Sequence, residues 1–169
     1  MEKNEGINSM IADLNIEEIK TFVGKKSGYY IKKWSNSKDV NIFAGWNWAA
    51  FLAGIFWFGY RKMYSILFYI FGAFLITDLI QALLKVDINK SIGSTTTFVL
   101  GFMGNAFYFK HMRNKINKIK RESSSSEVVE NKIQEAGETS WAGVGIAVLL
   151  FVGYLVISTL IDYVVAMFG

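Results

Sequence analysis

Cysteine and proline are both missing from this chain of 169 residues, and histidine occurs once, at position 111. Without cysteine there is no disulfide, no thiolate nucleophile and no sulfur metal site, and the redox compartment is left undetermined. A lone imidazole with no acidic cluster beside it cannot assemble a zinc site. Without proline, any bend in a helical segment falls to glycine. Other chemistry is equally thin: no serine sits in a nucleophile elbow, no glycine-rich phosphate loop follows a strand, and no acidic pair has the spacing for two metals. No catalytic residue, cofactor or metal is therefore expected.

What the chain has in quantity is apolar surface, 52% of its residues, with 16% aromatic. A single soluble core of this size cannot hide that much, and no large separate domain fits. The run Trp46-Asn-Trp-Ala-Ala-Phe-Leu-Ala-Gly-Ile-Phe-Trp-Phe-Gly-Tyr60, followed at once by Arg61-Lys62, carries the signature of a membrane boundary. Amphipathic rings favour the headgroup level, and the cations fix the side. The expected class is an all-α integral membrane protein.

Four apolar stretches, at 42–60, 63–84, 92–109 and 141–168, set the topology problem. If all four cross, the lysine-rich tail and the basic run Lys110 to Arg121 fall on opposite sides, against the positive-inside bias. The expected solution is a small bundle with three spanning helices, the 42–60 stretch being re-entrant or interfacial and bent at Gly45, Gly54 or Gly59. Such a bend must be covered by protein, since unpaired amides are costly in lipid. The alternative is four spans with a very tight turn, Arg61 and Lys62 snorkelling outside. On the favoured topology 63–84 and 141–168 both run outward, and the last, longer than the hydrocarbon, tilts or protrudes.

The chain accordingly divides into a cytoplasmic N-terminal segment, 1–41, a membrane core, 42–109, a charged loop, 110–140, and a final spanning helix, 141–169. The first forty residues lack the charged-then-apolar pattern of a leader, so a retained N-terminus is expected. Asn15 and Glu18 have capping-box spacing ahead of Ile16, Ile19, Phe22 and Val23, and Gly24 can end that helix. Tyr30 and Trp34, four apart, align on the next helix beside Lys32 and Lys33. These two helices are either a foot on the membrane surface or a helical pair packing on the bundle. In the loop, Met112, Ile116 and Ile119 stripe a basic helix; Val129, Ile133 and Ala136 stripe an acidic one. The two either pair as a hairpin or are separated by a flexible serine linker, Ser123 to Ser126. Thr139 and Ser140 are capping candidates for the helix opening at Trp141.

Ionisable or polar groups inside apolar segments are the candidate site residues. Asp78 with Gln81, and Asp162, lie toward the outer ends of their stretches and can form a proton or cation site; the plainer reading is that each is hydrated and only sets depth. Asn105, with Asn47, forms a second polar layer suited to interhelical hydrogen bonds. Ala49, Ala50, Ala53, Gly54, Gly101 and Gly104 permit close helix packing. Candidate lipid-headgroup contacts are Lys32, Lys33, Arg61, Lys62, Lys110, Arg113 and Lys115, with about 1 kcal/mol per cation near an anionic surface. Nucleic acid is not expected, because the 110–121 run lacks interleaved aromatics and abuts a membrane segment. The expected partners are the bilayer and its anionic lipids, with an unidentified membrane or cytoplasmic protein; a homo-oligomer is compatible with the pattern.

Three blocks carry a resemblance. They are Phe22-Val-Gly-Lys with Tyr29-Tyr-Ile-Lys-Lys-Trp34; Asn47-Trp-Ala-Ala-Phe-Leu-Ala-Gly with Phe56-Trp and Tyr60-Arg-Lys-Met-Tyr64; and Gly104-Asn-Ala-Phe-Tyr-Phe-Lys-His111. In order and spacing they resemble a bacterial family of small membrane proteins known as domain of unknown function 2628. The resemblance covers roughly 20–120, implies a multi-pass protein of the bacterial inner membrane, and carries over no catalytic residue. One departure is Ile55, where the family commonly has the proline that would favour a broken segment. Three functions remain open: a non-enzymatic accessory or interaction protein acting through cytoplasmic helices, a small oligomeric pore or ion-translocating component, and a membrane-stress or immunity-type protein.

Overall fold

The computed structural model describes residues 14–86, 89–123 and 125–168, with the side chains of 89–92 outside that set; expectations on 1–13 and Ser124 lie outside the described residues. The fold is all-helical, 83% helix, with no strand among the described residues. The helices are α1 (Ile16–Val23), α2 (Ser27–Ser35), α3 (Trp48–Ala53), α4 (Ile55–Tyr60), α5 (Tyr64–Leu84), α6 (Asn89–Glu122), α7 (Ser126–Gly137) and α8 (Trp141–Phe168), with a 3-10 turn at Gly24–Lys26. They form two compact units: the described residues up to Trp48 with Gly101–Glu138, and Ala49–Leu100 with Thr139 onward. The first unit thus holds the N-terminal helices together with the charged loop.

The first unit has a conventional packed core. Asn15 caps α1, its Oδ1 accepting from the Glu17 amide at 3.0 Å while Glu18 Oε2 accepts from the Asn15 amide at 3.0 Å. Gly24 ends the helix at φ 68°, a conformation that costs glycine nothing. Ile19, Phe22, Tyr30 and Trp34 are buried with Tyr108, Phe109, Met112 and Ile116 of α6. The rings form one connected cluster, with Tyr108 at 6.3 Å from Phe22, 4.9 Å from Tyr30 and 5.9 Å from Trp34. α1 and α2 are therefore a packed helical pair. The acidic helix α7 docks on α1, burying Ile133 and bringing Gly137 against the Phe22 backbone so closely that no side chain fits there.

The 42–60 stretch, which enters the second unit at Ala49, is not one helix. Gly54, at φ 51°, separates α3 from α4, each six residues and about 9 Å long, far short of a bilayer's roughly 30 Å. Glycine does the breaking in a chain that has no proline. α4 crosses α8 at Gly59 and Gly143, where a Cβ on either would strike the other's carbonyl. Ser140 anchors this crossing: its amide donates to Tyr60 O at 2.9 Å and its Oγ accepts from Gly143 N at 3.1 Å. Further along, Phe71 and Phe74 of α5 meet Phe151 and Tyr154 of α8 at centroid distances of 5.7–6.5 Å. Contacts climb together on both helices, so α5 and α8 run parallel.

Two helices, α5 and α8, are long and apolar enough to cross a membrane. The expected third, 92–109, does not qualify. Ser94, Thr95, Thr96, Thr97 and Asn105 dilute its apolar character, and Ala106, Tyr108 and Phe109 are buried in the first unit's core.

Candidate functional site

Asn105 is the polar centre of the first unit. Wholly buried on α6, it donates from Nδ2 to the Gly45 carbonyl at 2.8 Å and the Ala44 carbonyl at 3.2 Å, and its Oδ1 accepts from Asn47 Nδ2 at 2.9 Å. The Asn105 backbone carbonyl accepts from Trp34 Nε1 at 3.1 Å, and the Asn47 amide donates to Gly101 O at 2.8 Å. The irregular backbone at 44–47 is thereby satisfied, while 36–43 is closed by its own turns and the Asp39–Phe43 bridge. The polar layer read from Asn47 and Asn105 exists, but it fastens a loop to a helix rather than joining two spans.

The fastened loop and α2 enclose a cleft of about 760 Å³ lined by Tyr29, Lys32, Lys33, Lys38, Asp39, Ile42 and Phe43 among others. Lys33 is partly committed: its Nζ donates to Trp46 O at 2.6 Å and sits 5.2 Å from the Tyr29 ring centre. Lys32 and Lys38 are exposed, and so are Ile42 and Phe43. Cations beside apolar side chains suit an amphiphile with an anionic head.

The remaining candidate cations differ in placement. Lys110 and Lys115 are exposed, Arg113 and Lys62 half-buried, and Arg61 is buried at the end of α4 rather than presented outward. Lys120, outside the candidate set, pairs with Glu18 at 2.8 Å. His111 packs edge-on to Phe22 at 6.1 Å with no hydrogen-bond partner on Nε2. Burial, then the nearby Lys115 charge, push its pKa down from 6.5 to about 4, so the imidazole is neutral at physiological pH.

Residues 15–113 match the family described as Protein of unknown function (DUF2628). The chain belongs to that family. The matched segment supplies Trp34, Asn47, Asn105 and the whole cleft, whereas α7 and α8 lie beyond it. No curated protein and no solved structure matches the chain.

In the second unit Asp78 and Gln81 share the buried face of α5 with Leu67 and Phe71. Gln81 Nε2 approaches Asp78 Oδ1 at 3.5 Å, the limit of a hydrogen bond. The two aspartates are not paired: Asp78 is buried, Asp162 is exposed, and the group beside Asp78 is the Tyr154 hydroxyl, next to Ser158. Reading the sequence for charge alone missed Tyr154 and Ser158. The signal was their spacing with Asp162, four residues each, which sets all three on one face of α8.

Proposed function

We propose that the chain is an integral protein of the bacterial cytoplasmic membrane that works through contacts rather than catalysis, an accessory or interaction protein presenting its first unit to the cytoplasm. The observation that carries this reading is the use made of the family segment: Trp34, Asn47 and Asn105 hold a lysine-lined cleft in shape. Insertion is supported by how little of the apolar surface is covered. Only 22% of the most apolar window of α5 and 6% of that of α8 is buried, whereas a soluble core helix hides most of its apolar side chains.

Since α5 and α8 are parallel, a chain that crosses in both must cross back between them. Between them, 92–109 within α6 is an eighteen-residue stretch free of charged residues, which makes three crossings the favoured topology. That topology keeps Lys32, Lys33 and the 110–121 run inside, in accord with the charge bias. There the cleft takes anionic lipid headgroups, and the charged outer faces of α6 and α7 are left for a protein partner.

The lack of native cysteine makes the test clean. Single cysteines at Lys38, Lys85, Glu127 and Phe168 are labelled with an impermeant thiol reagent on the outer face of the membrane. Labelling at 85 and 168 alone is expected; labelling at 127 without 85 and 168 shows four crossings and overturns the topology. Crosslinking from position 127 in living cells then tests the contact reading, which fails if no reproducible adduct forms.

A further inference from the structure

We propose that Asp78, Gln81, Tyr154 and Ser158 form a one-sided binding site for a dehydrated monovalent cation within the second unit. Asp78 is only 7% exposed, and its Oδ2 is buried with no hydrogen-bond partner. Gln81 Nε2 reaches the other oxygen, Oδ1, only at the outer limit of hydrogen-bond length, and no lysine or arginine is paired with Asp78 among the described residues. A buried carboxylate with an open lone pair is costly until something neutralises it.

The groups around that lone pair are oxygen donors. The Tyr154 hydroxyl lies beside the Asp78 carboxylate with Ser158 next to it, both on the face of α8 turned to α5. Gln81 now offers its amide nitrogen, and half a turn about its last torsion offers Oε1 instead. One carboxylate with neutral oxygens balances one positive charge. A divalent ion would keep a net charge in apolar surroundings and ordinarily recruits more carboxylates.

The site is closed at one end. Phe71, Phe74 and Phe151 surround the Tyr154 ring at 5.7–6.4 Å and make an apolar wall on that side. In the other direction α5 runs only from Asp78 to Leu84, about 9 Å, before it ends. Exposed Asp162, one turn past Ser158, adds negative potential near that end. The geometry is that of a binding site that clamps α5 to α8, not of a conduit, which sets it apart from a pore.

The test uses the full chain in detergent micelles, melted at constant ionic strength and pH in sodium, potassium or choline chloride. One alkali cation is expected to raise the melting temperature by roughly 5 °C, saturating as a single site. Asp78→Asn should abolish that response while melting higher than wild type in choline, because the uncompensated charge is gone. Tyr154→Phe keeps the ring packing and should weaken apparent affinity about tenfold. It also keeps the test decisive if the Asn variant does not fold. Identical melting of folded wild type in all three salts, or an unchanged salt response in either variant, overturns the proposal. None of these readouts depends on the contact role or on membrane topology.

Discussion

Asn105 donates to the Gly45 carbonyl at 2.8 Å across a separation of sixty residues, and the loop before α3 depends on that bond. Asn105→Ala removes the partners of the Ala44 and Gly45 carbonyls and of Asn47 Nδ2 together, inside a buried site. Each polar group left unsatisfied costs about 1–3 kcal/mol, so the loss should be about 3 kcal/mol or more. Asn47→Ala should cost less, because Asn105 Nδ2 keeps its carbonyl acceptors. Thermal melts of the two variants in one detergent check both the size and the order; equal, small effects would remove Asn105 from its central place.

His111 makes the first unit sensitive to acid. Its folded pKa of about 4 lies below the unfolded value of 6.5. Between those values the unfolded chain binds a proton that the folded chain does not, so stability falls as pH drops from 6.5 toward 4 and levels off below. The shift corresponds to about 3 kcal/mol. Equilibrium unfolding as a function of pH should show this component in wild type and lose it in His111→Leu, whose curve should be flatter across the same window.

Local signals in the sequence were read correctly where a few adjacent residues decide the outcome. The capping box at Asn15 and Glu18, the stop at Gly24, the aligned pair Tyr30 and Trp34 and the Ser140 cap are all governed within one or two turns. What was not legible depended on distant partners. The residues Ala106 to Phe109 suit lipid as well as protein, and only the arrival of Trp34, Tyr30 and Phe22 shows that protein covers them. Arg61 stands beside Lys62, with headgroup chemistry, yet it is buried. Asp78 and Asp162 invited pairing by charge and depth, while the register of α5 on α8 puts Tyr154 beside Asp78 instead.

Gly54 offers a test of how the first apolar stretch is broken. Its φ of 51° is unfavourable for any residue with a Cβ, although nothing lies within 4 Å of where one would sit. Gly54→Ala should therefore cost about 1–3 kcal/mol through backbone strain alone. Gly72→Ala, in the middle of α5 and equally unobstructed, should be neutral or stabilise by up to about 1 kcal/mol. Thermal melts of the pair separate conformation from space, and a neutral Gly54→Ala would mean the break between α3 and α4 is not enforced there.

Gly143 and Gly145 lie two residues apart on α8 and should respond oppositely to the same change. A Cβ on Gly143 would meet the Gly59 carbonyl and the Tyr64 hydroxyl, whereas one on Gly145 has nothing within 4 Å. Backbone on one side and backbone on the other leave no flexible atom to give way, so Gly143→Ala must push α4 off α8. Overpacking of that kind costs about 1–3 kcal/mol. It should also lengthen the Ser140 to Tyr60 bond that tethers the start of α8, now 2.9 Å. Gly145→Ala gains helix propensity without a clash and should melt at or above wild type. Small residues at Gly143 and Ala147, four apart on an apolar helix, thus serve a close crossing within the chain. If Gly143→Ala left the folded monomer unchanged but altered its self-association in detergent, that pair would belong to an interface between copies instead.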